Sequence, residues 1–240
     1  MLFIVGLGLN EQGVSKEGML AIDKCKKIFL EDYTVDFPYD LRDLHLGKRE
    51  IVPMGRKDVE SMKLIKEAKS RPIALLVYGC PLFATTHMTL IKDAQEQGVR
   101  TRVIYAASIF DGIAETGLQL YKFGKITSMP AWKKSYEPTS FMNIVKENQS
   151  IKAHSLILID IGLGFKRAID ELEKSAEKER VELDKLVVCS NVGTEDSKII
   201  YGTIEELKNE KFRLPICFII PSEMHFLEAD ILENLDNEQK

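Results

Sequence analysis

Phe3-Ile4-Val5-Gly6-Leu7-Gly8-Leu9 is an apolar run that breaks directly into two glycines one residue apart. An unbroken apolar run reads as a strand buried on both faces, as in a parallel sheet covered by helices. The glycines then let the backbone turn and approach a ligand closely. A second run, Ile73-Ala74-Leu75-Leu76-Val77-Tyr78, breaks into Gly79-Cys80-Pro81-Leu82-Phe83-Ala84-Thr85-Thr86-His87. In open α/β sheets ligands bind beyond the carboxyl ends of strands. Two such ends in one chain predict a nucleotide-like ligand gripped mainly by main-chain atoms.

The first loop does not complete a dinucleotide fingerprint. Gly6 and Gly8 fit G-x-G-x-x-G, but Glu11 stands at the third glycine. The next helix starts no earlier than about Ser15, its expected N-cap, so no helix N-terminus lies near a pyrophosphate. Glu31, after Ile28-Phe29-Leu30, stands roughly where a ribose-binding acid would, and keeps a nicotinamide or flavin reading open. Taken alone, the glycines are also consistent with a plain tight turn.

Strand-like runs recur near 2–6, 27–31, 73–78 and 100–105, with helical patterns between them. Met62, Ile65 and Ala68–Lys69 form one helical stripe after Asp58. Met88, Ile91 and Ala94 form another after Thr85. Strand and helix alternating in this way imply a parallel sheet with right-handed crossovers. A second set of apolar runs falls at 155–161, 185–190, 198–201 and 216–220. Gly117–Pro138, rich in aromatics, lysines and turn residues, reads as an inter-domain segment. The expected division is therefore an α/β domain over 1–112 carrying the glycine loops and a second α/β domain over 113–240. The polar stretch Asn234–Lys240 reads as frayed.

Bulk properties narrow the class of partner. At 240 residues the chain can bury about 70% of its unfolded surface. Its 45% hydrophobic and 29% charged residues are ordinary for a globular protein, and a net charge of −4 argues against a broad nucleic-acid-binding face. No apolar stretch reaches membrane-spanning length, and the N-terminus lacks the pattern of a signal peptide. Cys25, Cys80, Cys189 and Cys217 lack C-x-x-C spacing and read as thiols of a reducing compartment, three of them as small buried hydrophobes. His45, His87, His154 and His225 have no ligand-like spacing, so a metal site is not expected.

The loops combine with further motifs: Ala107-Ser108-Ile109-Phe110, Gly117-Leu118-Gln119-Leu120-Tyr121-Lys122-Phe123-Gly124-Lys125, and Pro138-Thr139-Ser140 with Lys146-Glu147-Asn148. Leu156-Ile157-Leu158-Ile159-Asp160-Ile161 and His225-Phe226-Leu227-Glu228-Ala229 complete the set. Together they resemble the diphthine synthase family, part of the tetrapyrrole-methylase class of S-adenosylmethionine-dependent methyltransferases. The resemblance is nearly collinear over the chain and weakest at 162–184. It implies two α/β domains of the tetrapyrrole-methylase type with the cofactor in the inter-domain cleft. It also implies methylation of the amino group of a 3-amino-3-carboxypropyl chain on a histidine of elongation factor 2, in the cytoplasm, by an enzyme that is usually a homodimer. By resemblance, Leu9, Cys80, Phe83, Ser108, Ile109, Ile159, Val192 and Ile216 line the cofactor site, largely through backbone atoms. The class carries Gly-Asp-Pro where this chain has Gly79-Cys80-Pro81, which puts one polar contact in question.

Several residues have competing readings. Cys80 and His87 could be a nucleophile and its base, although the seven-residue interval need not bring them together. Thr85 and Thr86 read as caps of the following helix. His87 is either solvated in its first turn or, by resemblance, near the substrate entrance. Tyr121, Lys122, Phe123 and Lys125 could close a domain junction. They also suit a substrate that ends as a quaternary ammonium beside a carboxylate, since ring faces attract the cation and lysines the anion. Trp132, Lys133, Lys134 and Tyr136 extend that chemistry toward a protein partner, or form a solvated loop. No residue is identifiable as a general base. The alternatives are a methyltransferase acting on a tetrapyrrole and a non-catalytic cofactor-binding module.

Overall fold

The computed structural model describes residues 1–44, 46, 50–83 and 85–238. His45 and Ala84 lie outside the described residues. The chain divides into two compact units, Met1–Asp111 and Gly112–Lys240.

The first unit holds strands β1 (Leu2–Gly6), β2 (Lys27–Glu31), β3 (Ile51–Met54), β4 (Ile73–Val77) and β5 (Thr101–Ile104). They form one parallel sheet in the order β3-β2-β4-β1-β5, with Leu2 level with Ile73 and Thr101. Helices α1 (Lys16–Asp23), α2 (Arg56–Val59), α3 (Lys63–Ser70) and α4 (His87–Glu96) connect the strands, and α5 (Ile109–Gly112) follows β5. Alternate residues of each strand feed opposite faces, as sheet geometry requires. Leu2, Ile4, Leu75 and Val77 pack with Leu64, Ile65, Leu90 and Ala94. Phe3, Val5, Ala74 and Leu76 pack with Ala21 and Ile22. Ser15 caps α1 as expected, its Oγ accepting the Gly18 N–H at 3.0 Å.

The helical stripes need adjustment. Leu64, Ile65 and Ala68 form the buried face of α3, while Met62 sits at its N-cap, partly exposed. On α4 the buried face is His87, Leu90 and Ala94, and Met88 points to solvent. Strand β3 has no counterpart among the expected strands. It is an edge strand carrying Pro53, where a missing N–H is tolerated.

The second unit holds β6 (Thr127–Met129), β7 (Ser155–Ile159), β8 (Lys185–Ser190), β9 (Lys198–Thr203) and β10 (Ile216–Ile220). Their order is β6-β7-β10-β8-β9, with β6 parallel to β7 and every other pair antiparallel. Helices α6 (Phe141–Ser150), α7 (Phe165–Glu179), α8 (Ile204–Leu207) and α9 (Phe226–Glu238) complete the unit. Phe141, Met142 and Val145 of α6 and Ala168, Ile169 and Leu172 of α7 pack on Ile157, Val188 and Phe218 of the sheet. Gly117–Pro138 is therefore not a linker, since it supplies edge strand β6. Residues 234–238, expected to fray, continue α9.

Candidate functional site

In the first unit the two glycine loops lock together. The Leu7 N–H donates to Val77 O at 2.8 Å, and Gly8 and Gly79 form an antiparallel bridge in which Gly79 N–H donates to Gly8 O at 3.0 Å. Gly6 permits the contact: a Cβ there would lie 2.6 Å from Gly79 O and 2.9 Å from the Ala106 Cβ. Gly8 and Gly79 have φ values of +74° and +67°, which glycine adopts without strain. Beyond the bridge, the Tyr78 hydroxyl donates to Leu9 O at 3.1 Å. Burial pushes that hydroxyl's pKa well above its usual value, so it stays a donor.

The same unit gathers five of the residues expected at the cofactor. Leu9 is buried after the first loop, and Cys80 is half-buried after the second. The Phe83 N–H donates to Cys80 O at 3.2 Å, closing a turn, and its ring stacks on Phe110 with centroids 6.1 Å apart. Ser108 donates its N–H and its hydroxyl to Asp111 Oδ2 at 2.6 and 2.8 Å, fixing the start of α5 at Ile109. Asp111 was not foreseen, although its spacing of three from Ser108 is that of a capping box.

His87 is not solvated, and its ring nitrogens are directed to groups other than the Cys80 thiol. Only 1% exposed, it donates Nδ1–H to Pro81 O at 2.8 Å, with Thr85 Oγ1 3.0 Å from the same nitrogen. Its Nε2 pairs with Glu31 Oε2, itself buried at the end of β2. Burial pulls the His87 pKa down, but Glu31 and the Pro81 carbonyl outweigh it and hold the ring's pKa above its usual value. Glu31 is thus the partner of a histidine, and both ring nitrogens are engaged, which removes the nucleophile-and-base reading of Cys80 with His87. Neither threonine caps α4 as expected. Thr86 occupies the N-cap position without a side-chain cap bond, and its hydroxyl lies 3.4 Å from Glu60 Oε1.

In the second unit, strand register brings the remaining three cofactor candidates to one end of the sheet. Cys217 pairs with Leu158 and Ile216 with Ser190. Ile159 and Ile216 are therefore neighbours, with Val192 two residues beyond Ser190. Asn191, between Ser190 and Val192, has φ +50° and a buried Oδ1 without a hydrogen-bond partner.

Tyr121, Lys122 and Lys125 lie on one short segment that begins with a helical turn over Leu120–Lys122. Buried Glu228 receives the Gln119 N–H at 2.9 Å and His154 Nε2 at 3.2 Å on Oε1. Its Oε2 receives Lys122 Nζ at 2.5 Å and the His225 N–H at 2.7 Å. Burial pushes this carboxyl's pKa up, but Lys122 and the other three donors prevail and hold it at about 2. Burial, aided by Lys122, keeps the His154 pKa below its usual value, and its Nδ1 accepts the Ser222 N–H at 3.0 Å. Lys125 Nζ meets Glu147 at 2.5 Å, while Asn148 clamps both backbone groups of Lys125 at 2.9 and 2.8 Å. Lys122 is thus tied to a buried carboxylate, whereas the Lys125–Glu147 pair lies on the surface and Tyr121 is 83% exposed. Trp132 lies under Lys178, 4.4 Å from its ring centroid, with Nε1 donating to Pro138 O at 3.2 Å. Lys133 and Tyr136 close a tight turn by paired 2.9 Å backbone bonds.

Among the described residues no group of histidine, cysteine, aspartate and glutamate could hold a metal ion, and no helix is long and apolar enough to cross a membrane. No disulfide joins the four cysteines, and Cys25, Cys189 and Cys217 are buried.

One unit carries interlocked glycine loops at parallel strand ends, and the other holds a sheet of mixed direction. The model of the Tetrapyrrole (Corrin/Porphyrin) Methylases matches residues 1–208, and the chain belongs to that family and, within it, to the diphthine synthases. It is 37% identical to the diphthine synthase of Methanocaldococcus jannaschii over 98% of each chain. It is 31% identical to an Arabidopsis thaliana protein named "Probable diphthine methyl ester synthase" over 97% of each. A crystal structure of diphthine synthase superposes with a TM-score of 0.88 at 30% identity, covering 97% of this chain and 94% of that one. The chain is accordingly a methyltransferase of the diphthine synthase type.

Proposed function

We propose that the protein transfers methyl groups from S-adenosylmethionine to the amino group of a 3-amino-3-carboxypropyl-histidine on elongation factor 2. The observation that carries this reading is the Gly8–Gly79 bridge joining the carboxyl ends of β1 and β4 in a member of this family. The residues fit the cofactor. Glycine at 79 is called for by its φ of +67°, while a Cβ there would make only ordinary contacts, 3.8 Å from Ala107 O and Ser108 Cα. Leu9, Phe83 and Ile109 offer apolar surface to a purine or ribose, and Cys80 and Ser108 lie at the strand ends where main-chain groups are presented. Ile159, Val192 and Ile216 of the second unit are the remaining residues that family resemblance assigns to the cofactor. The unpartnered Asn191 Oδ1 is an acceptor that a ligand amine would satisfy.

S-adenosylmethionine supplies a methyl group on a sulfonium that is already a good leaving group. The amine nitrogen forms the new N–C bond, the S–C bond breaks, and its electron pair stays on sulfur as S-adenosylhomocysteine. The proton lost from nitrogen goes to solvent. Nothing in this step demands a metal or a nucleophilic side chain. The chain's task is alignment of a neutral amine with the methyl carbon and exclusion of water. Exposed Tyr121 offers a ring face to the growing cation. The reading includes a cytoplasmic homodimer, the usual state of the class.

A second reading, esterification of the substrate carboxylate, is favoured by the name of the Arabidopsis relative. Mild base separates the two, because it removes a methyl ester and leaves an N-methyl group. The cofactor is tested by thermal unfolding. S-adenosylhomocysteine at about 100 times its dissociation constant stabilises by roughly 2.7 kcal/mol and raises the melting temperature, while NADH does not. A shift with NADH alone overturns the reading.

A further inference from the structure

His87 is an unusual residue to bury at the start of a helix. A histidine and a glutamate side chain both lose hydration on burial, and an apolar pair of similar volume would fill the space at less cost. What the pair supplies is direction. Glu31 ends β2, which pairs with β4 through Leu30 and Leu76. Its Oε2 meets His87 Nε2, and on the opposite side of the ring Nδ1–H points at Pro81 O, 2.8 Å away. Pro81 follows Gly79-Cys80 directly at the carboxyl end of β4. Glu31, His87 and Pro81 thus form a buried relay from the end of one strand to the turn after its neighbour. The groups facing the ring are Glu31 from β2, the Pro81 carbonyl and the Thr85 hydroxyl, with Glu60 one residue away through Thr86.

We propose that His87 is a positioning residue that fixes the Cys80–Pro81 turn in the geometry that receives the cofactor, with Glu31 holding the ring in register. This inference rests on the cofactor reading above and replaces a direct contact of His87 with substrate. A ring 1% exposed with both nitrogens engaged has no atom to offer an incoming protein.

Cys80 makes the proposal testable without any cofactor. It is half-buried, whereas Cys25, Cys189 and Cys217 are 7%, 1% and 2% exposed, so thiol modification by Ellman's reagent reports on this turn. Losing the bond to Pro81 O in His87→Ala is expected to speed Cys80 modification and to weaken S-adenosylhomocysteine binding, each by about tenfold. The KM for elongation factor 2 should not change. The double variant Glu31→Gln with His87→Asn keeps an amide donor near the Nδ1 position and removes the unpaired carboxylate. It should return both readouts to within about threefold of the parent. If His87→Ala does not fold, Glu31→Gln alone should move both readouts in the same direction. A lowered melting temperature with unchanged Cys80 reactivity and cofactor affinity would make the pair a packing element and overturn the proposal. A raised KM for elongation factor 2 with unchanged cofactor affinity would overturn it in favour of a substrate contact. A parent protein that does not bind S-adenosylhomocysteine would overturn the cofactor reading, and the Cys80 rate would still decide whether His87 positions the turn.

Discussion

Replacing Glu228 by glutamine changes one atom of the side chain and removes a charge that four donors converge on. Oε1 can still accept from the Gln119 N–H and His154, but the new amide NH2 faces Lys122 Nζ and the His225 N–H, donor against donor. The wild-type carboxyl is held at about 2 against an ordinary 4.5, a shift worth about 3 kcal/mol at roughly 1.4 kcal/mol per unit. Lys122 is 24% exposed and can turn to water, so the loss should sit near 3 kcal/mol rather than at the upper end of about 5 for a broken buried pair. Because the folded-state pKa is depressed, this stability is present above the unfolded value and is lost as pH falls from about 4.5 toward 2. Trp132 is the sole tryptophan and lies in the same unit, so its fluorescence follows the relevant unfolding in urea. At pH 7 Glu228→Gln should be about 3 kcal/mol less stable than the parent, and the gap should close progressively in acid. A gap below about 1 kcal/mol at pH 7, the size of one ordinary surface ion pair, would refute the reasoning. So would a gap that stays constant across pH.

Gly6→Ala should abolish binding of S-adenosylhomocysteine in calorimetry, because its Cβ would sit 2.6 Å from Gly79 O and force the two loops apart; retained affinity would mean the loop contact is dispensable. Asn148→Ala removes three hydrogen bonds around Lys125 and Ser155 and should cost about 2–3 kcal/mol in the same urea assay. Cys80→Asp restores the residue usual in the class. With the turn already fixed through Pro81 and Gly79, cofactor affinity should change by less than about threefold, whereas tenfold tightening would show that the thiol gives up a charge-assisted bond.

The first unit was largely legible because its signals are local. Leu2–Gly6 and Ile73–Val77 are uninterrupted apolar runs, and burial on both faces of a parallel sheet leaves that pattern. Ser15 was legible for a similar reason, since a cap is a contact over three residues. What failed locally was short or chemically mixed. Ile51–Met54 contains a proline, and Thr127–Met129 has two polar residues in three, so neither showed the period of a strand. The partners of the polar residues were hidden for a different reason. Lys122 and Glu228 stand 106 residues apart, and Glu31 and His87 meet only because β2 and β4 are adjacent in the sheet. Lys122 of the Tyr-Lys-Phe-Gly-Lys run looked open to solvent because its buried partner Glu228 cannot be read from spacing. Ile159, Val192 and Ile216 come together only through antiparallel register, which the apolar runs alone do not specify.

Methyl transfer to elongation factor 2 is tested most directly by incubating the protein with labelled S-adenosylmethionine and elongation factor 2 bearing the 3-amino-3-carboxypropyl-histidine. Label should appear on that histidine, survive mild base, and rise as pH increases from about 6.5 to 9 in single-turnover experiments, following the neutral amine. An elongation factor that stays unlabelled while the protein demonstrably binds S-adenosylhomocysteine would contradict the assignment.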